Sequence, residues 1–162
     1  MESETGLSHL DAEGRASMVD VGGKPATQRE AVAEALVRFP AAVFAQLLAG
    51  ELPKGGLIET ARIAGIQATK RTSELIPLCH PLGLDLADVE ICRAQEGEPV
   101  LVVRCMCRTS GRTGVEMEAM TGAAVAALTL YDMSKALHKG IRIEAVRLLR
   151  KSGGKSGEWT AQ

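Results

Sequence analysis

The run from Gly114 to Gly140, GVEMEAMTGAAVAALTLYDMSKALHKG, constrains this chain more than any other stretch. At 100° per residue, Ala119, Gly122, Ala126, Leu130, Met133 and Leu137 fall on one stripe, which predicts a helix over about 115–139, closed by Gly140, with that stripe on a sheet. A second arc carries Glu118, Thr121, Asp132, Lys135 and Lys139, mixed with Val125 and Leu128. Read alone, it is a solvated face with i,i+3 pairing of Asp132 and Lys135. The apolar residues among the charges favour a face covered by a second subunit. Glu118 and Asp132 lie 14 positions apart, roughly 21 Å along the axis. One small molecule does not span that distance on one chain, so a site using both is composite, built at a two-fold dimer.

The other elements follow from punctuation. QREAVAEALVR (28–38) alternates Ala31, Ala33, Ala35 and Val37 as a strand does, yet its composition also suits a helix. Pro40 opens a helix and Gly50 closes it. A second helical stretch follows the turn at 52–56 and runs to about Thr72. The steps Ile76-Pro77 and His80-Pro81 force an extended segment. LDLADVEICRA (84–94) and VLVVRCMCR (100–108) form a hairpin across Glu96–Pro99, and IRIEAVRLLR (141–150) is a last strand. If 28–38 is a strand, the order is β-α-β-β-α-β, the α+β ferredoxin-like arrangement, an antiparallel sheet with helices on one face. Residues 9–21 suggest a small hairpin around Glu13-Gly14. The organisation expected is a mobile lead-in over 1–14, one ferredoxin-like catalytic domain over 15–150 and a glycine-rich loop or tail over 151–162.

Composition limits the function classes. Aromatic residues make up 2% of the 162 residues and apolar residues 46%, so the core is built from Ala, Val, Leu and Ile. Small side chains bury little area each, and oligomerisation is the expected remedy. A formal net charge of -1 argues against coating nucleic acid. No apolar run approaches a membrane span, and the polar, acidic N-terminus is unlike a signal peptide, which places the chain in the cytoplasm. Cys105 and Cys107 share a strand face without a metal-site spacing, so the four cysteines are read as reduced thiols.

Three further features carry polar chemistry. Lys54 stands on a turn between a proline and two glycines. His80, in LCHPL, is held between prolines and suits anion binding or proton transfer near neutral pH, with a satisfied core histidine as the alternative. Gly154-Lys155-Ser156 ends like a phosphate-binding loop, but Leu149 stands where that motif needs a glycine. A loop bringing Lys151 and Lys155 to phosphate, or a solvated tail, are the two readings left. Arg29, Arg62, Lys70, Arg71, Arg104 and Arg108 supply cations that spacing alone does not assemble.

The runs KGGLIETARIAGIQATKRTSELIPLCHPL (54–82), GRTGVEMEAMTGAAVAALTLYDMSKA (111–136) and VRLLRKSGGKSG (146–157), with MVDV at 18–21 and Arg29, closely resemble the cyclic pyranopterin monophosphate synthases. The likeness extends from about residue 8 to 158, with departures at the N-terminus, at 39–53 and at 95–99. It implies a ferredoxin-like subunit in a homohexamer, a trimer of dimers with sites at dimer interfaces. It also implies a lyase of molybdenum-cofactor biosynthesis that converts (8S)-3′,8-cyclo-7,8-dihydroguanosine 5′-triphosphate to cyclic pyranopterin monophosphate, releasing pyrophosphate. By the same resemblance Asp132, Lys54 and Lys135 are catalytic, and Leu78, Cys79, His80, Met117 and Glu118 bind substrate. Arg29, Glu116 and Lys151 lie near the pocket. Asp132 is then expected to position Lys135 and tune its pKa, with Lys54 and Lys135 as proton-transfer groups if the site draws a lysine toward neutral. No cofactor and no metal-ligand set is implied, with room only for Mg²⁺ accompanying the triphosphate. The rival is a non-catalytic nucleotide-binding regulatory domain. An RNA-binding module of this fold needs aromatic residues on its central strands, and 84–108 has none.

Overall fold

The computed structural model describes residues 9–50 and 56–162. Strand β1 (Thr27–Arg38) occupies the segment whose pattern suited strand or helix equally. Packing decides it: Ala31, Ala33, Ala35 and Val37 are buried in the core, while the intervening Glu30, Glu34 and Arg38 find ion-pair partners. Helices α1 (Ala41–Leu48), α2 (Leu57–Thr69) and the single turn α3 (Thr72–Leu75) follow. Then come β2 (Leu86–Arg93), β3 (Val100–Gly111), α4 (Glu116–Ser134), β4 (Arg142–Ser152) and the two-residue β5 (Trp159–Thr160). The sheet order is β2-β3-β1-β4-β5, every neighbouring pair antiparallel. This is the ferredoxin-like βαββαβ arrangement, with β5 added at the edge beyond β4.

A core of small residues lets its layers come close. Gly65 of α2 and Gly122 of α4 meet where the helices cross: a Cβ on Gly122 would stand 2.5 Å from Cys105 Sγ and 2.6 Å from Thr69 Cγ2, and one on Gly65 would stand 2.9 Å from the Gly122 carbonyl oxygen. Beneath this crossing Cys105 and Cys107 lie buried side by side as free thiols, their sulfurs 4.0 Å apart. Phe39 and Phe44 supply the aromatic contact, with ring centroids 5.9 Å apart.

The other sheet face carries charge ladders. Glu30 is held by Arg108 and Arg150, each at 2.7 Å; Glu34, almost wholly buried, is held by Arg104 at 3.4 Å and Arg147 at 3.0 Å. Arg104 and Arg108 are thereby committed to cross-strand pairing. Arg62 faces Asp88 at 3.6 Å.

Three sequence expectations need correction. The long helix ends at Ser134, not near residue 139. The chain tightens there, with the Leu137 N–H donating to the Ser134 carbonyl at 3.0 Å and the Gly140 N–H to His138 Nδ1 at 2.9 Å. Leu137 stays packed on the core from this turn, so the apolar period outlasts the helix. The second helical stretch breaks after Thr69 and resumes as α3. The hairpin expected over 9–21 reduces to a single bridge, Leu10 with Ala16, around Gly14 at φ +76°. Residues 1–8 of the lead-in lie outside the described residues. Among those described, no helix is long and apolar enough to cross a membrane.

Candidate functional site

The loop after α3, the N-terminus of α4 and the segment before β1 converge on a cavity of about 400 Å³. Leu78, Cys79 and His80 form one wall and Glu116, Met117 and Glu118 another. The prolines keep the 76–81 segment out of helix, and the Thr109 hydroxyl anchors it by donating to the Gly83 carbonyl at 2.6 Å. The opposite wall comes from His9, Val19, Val21 and Lys24.

At Lys24, Thr113, Gly114 and Glu116 this cavity runs into a second cleft of about 910 Å³. Its lining is basic: Lys24, Arg29, Arg112, Lys151 and Lys155 surround Glu116. Arg29 is fixed by donating from Nε to the Gly111 carbonyl at 3.0 Å and from Nη2 to the Arg112 carbonyl at 3.3 Å. Gly153 and Gly154, at φ +95° and +71°, wrap closely around the start of β1. A Cβ on the first would strike the Gln28 carbonyl, and one on the second the Arg29 guanidinium. This glycine turn carries Lys155 to the cleft, while Lys151 reaches Glu116 at 2.8 Å. The Thr27 hydroxyl oxygen is buried without a hydrogen-bond partner in the same lining.

The joined groove is electrically polar. One end offers five cations together with the N-terminal end of α4, whose first-turn N–H groups favour an anion. The other holds Glu118, only 4% exposed. Burial, reinforced by the charge of Glu116, pushes the Glu118 carboxyl up to about 7. Burial also raises the Cys79 thiol, and the Glu118 charge adds to that effect.

The structure therefore brings Leu78, Cys79, His80, Glu116, Met117 and Glu118 to one cavity, and Arg29, Glu116 and Lys151 to the adjoining cleft. It does not bring Asp132 and Lys135 to either. They pair with each other at 2.6 Å on an exposed surface near the end of α4. The hydrogen bond from Lys135 to Asp132 raises the lysine pKa, so Lys135 is held away from neutral in this subunit. A carboxylate beside an ammonium favours its charged form. Glu118 and Thr121, read with Asp132 as one polar arc, are buried. Lys54 lies outside the described residues.

Sequence reasoning missed Lys24, Arg112 and the Val19–Val21 wall. The signal available for Arg112 was its place in TSGRTG, a loop running into a helix N-terminus. Lys24 had none, because only the fold sets it beside residues near 112 and 151. Of the six loose cations singled out, Arg29 alone lines the groove.

Residues 18–154 match the MoaC family. Three proteins named cyclic pyranopterin monophosphate synthase, from Brucella ovis, Brucella melitensis and Brucella abortus, are each 54% identical to the chain over 153 residues, covering 94% of it and 92% of the relative.

Proposed function

The chain belongs to the MoaC family, and on that footing we propose that the joined groove holds one GTP-derived cyclic nucleotide along its length. The reaction is that of a cyclic pyranopterin monophosphate synthase: (8S)-3′,8-cyclo-7,8-dihydroguanosine 5′-triphosphate becomes cyclic pyranopterin monophosphate, with release of pyrophosphate, in molybdenum-cofactor biosynthesis. The observation that carries the placement is the polarity of the groove. The purine-derived ring faces Leu78, Cys79, His80, Met117 and Glu118, and the triphosphate lies along Lys24, Arg29, Arg112, Lys151 and Lys155.

The chemistry asks for charge neutralisation at the departing pyrophosphate. Lys151 is held by Glu116 at 2.8 Å, poised to exchange that carboxylate for a phosphate oxygen. His80, on the wall of the ring end, is placed for proton transfer there. Asp132 and Lys135 complete the site from a partner subunit, and Lys54 carries the catalytic role that the family likeness implies. In this scheme Lys135, held protonated by Asp132, acts first as an acid and an electrostatic stabiliser.

Two features support sites shared between subunits in a hexamer, a trimer of dimers. Glu118 and Asp132 sit 14 residues apart on one continuous helix, roughly 21 Å. Leu128, on the arc of Asp132, and Ile63 of α2 are more than half exposed, and apolar surface of this kind suits an interface. A cytoplasmic location accords with the GTP-derived substrate of the family. Incubation with the cyclic dihydroguanosine triphosphate should release one pyrophosphate per substrate consumed; nucleotide binding without release would point to a regulatory domain.

A further inference from the structure

Lys135 leaves α4 on a short exposed turn, and Tyr131 holds that turn at two points. The Tyr131 carbonyl accepts the Lys135 N–H at 2.8 Å, and the Tyr131 hydroxyl donates to the Lys139 carbonyl at 3.3 Å. The two bonds bracket Lys135, Ala136, His138 and Lys139, all of them exposed. Tyr131 is suited to be the fixed point, because its ring is partly buried and packed on the core. A tyrosine turns about only two side-chain bonds, so a packed ring sets where its hydroxyl stands. The other side-chain bond of the turn, from the Gly140 N–H to His138 Nδ1 at 2.9 Å, closes residues 138–140 and does not span Lys135.

We propose that the Tyr131 hydroxyl is a positioning group for Lys135: by tying the end of α4 to the Lys139 carbonyl, it fixes the backbone from which the lysine reaches the reacting atoms. The inference rests on the reading given above, in which Lys135 acts as an acid at a site shared with a partner subunit. Lys135 needs such support. Its ammonium rides on a flexible stem, and Asp132, its partner at 2.6 Å, is itself 62% exposed. An exposed pair of this kind holds neither group firmly, and helix ends, with carbonyls unpaired inside the helix, fray readily. Tyr131 touches no substrate in this scheme and acts through Lys135. Its effect therefore enters kcat and not KM: a displaced ammonium misses the transition state, while the substrate binds through other residues.

Tyr131→Phe keeps the ring on the core and removes only the tie. Its effect is read as pyrophosphate release from the cyclic dihydroguanosine triphosphate by the whole chain, once with Lys135 intact and once in the Lys135→Met background. With Lys135 intact, Tyr131→Phe should lower kcat about tenfold, short of the roughly 10²-fold cost of an ångström-scale misplacement, with KM and the thermal midpoint unchanged. In the Lys135→Met background it should lower the residual kcat no further, as expected of two residues that act as one unit. A purely structural role would lower both backgrounds alike. Unchanged kcat in Tyr131→Phe, an equal fall in the two backgrounds, or a loss that comes only through a raised KM would each overturn the assignment. Failure of the underlying reading shows separately. Near-normal turnover in Lys135→Met alone removes the lysine from the chemistry and the tie with it, whereas lost turnover there beside a fully active Tyr131→Phe strikes the tie alone.

Discussion

The two ends of α4 carry their charges in opposite settings. At the N-terminal end Glu118 is buried beneath the 76–82 loop, in a concave wall shared with His80 and Cys79. At the C-terminal end Asp132 and Lys135 pair at 2.6 Å on open surface, beyond the exposed Leu128. Burial reaches one end because the loop after α3 and the segment before β1 wall it in. Beyond Ser134 the chain turns back into β4, and the described residues leave the other end exposed. One helix thus presents a nearly complete binding wall and, roughly 21 Å away, a charged pair on open surface. A two-fold partner would set the second against the first.

Substitution at the exposed end should cost activity and nothing else. Lys135→Met is expected to lower turnover by about 10²–10⁴-fold, the range of a general acid or base, while the thermal midpoint stays where it was. Near-normal turnover would reduce Asp132 and Lys135 to a solvated ion pair.

The buried end should instead show itself in stability against pH. Glu118 has a folded-state pKa of about 7, above its ordinary 4.5. Between those values the folded protein keeps a proton that the unfolded chain has released. Stability present below pH 4.5 is therefore lost as pH rises through 7, on the order of 3 kcal/mol for this shift. Glu118→Gln has no proton to lose, so its denaturant midpoint should gain on the wild type across that window and hold the gain above it. Parallel profiles for the two proteins would mean that the carboxyl is not buried as described.

Smaller effects test what joins the two ends. Gly122→Ala sets a methyl 2.5 Å from Cys105 Sγ and 2.6 Å from Thr69 Cγ2. It should destabilise the fold by about 1–3 kcal/mol, measured by chemical denaturation; no change would show slack in the α2–α4 crossing. Lys155→Ala, at the far rim of the basic cleft, should raise KM about tenfold with kcat little altered, the pattern of lost uniform binding. A fall in kcat with KM unchanged would move Lys155 from holding the triphosphate to the chemical step.

Much of the scaffold was readable from local pattern. The prolines at 40, 77 and 81, the closing glycine at 50 and the alternation over 100–108 all act within a few residues of themselves. The segment 28–38 was not readable alone, since Ala31, Ala33 and Ala35 fit a helix as well as a strand. What makes it a strand is pairing with β3 and β4 on both sides. The site was legible in pieces. Resemblance pointed to His80 and Glu118, but periodicity grouped Glu118 with Asp132 on one polar arc, because a helical wheel carries no record of which turns lie under a loop. The basic cleft joins Lys24, Arg112 and Lys151, whose neighbourhood exists only after β1, β3 and β4 have paired.

The central claim is that each site takes Glu118 from one subunit and Asp132 with Lys135 from another. Co-refolding inactive Glu118→Gln and Lys135→Met chains in equal amounts tests it directly. In a two-fold dimer with shared sites, half the dimers are mixed and each restores one wild-type site of two, so about a quarter of wild-type pyrophosphate release should return. Activity that stays at the level of the separate variants would contradict the account.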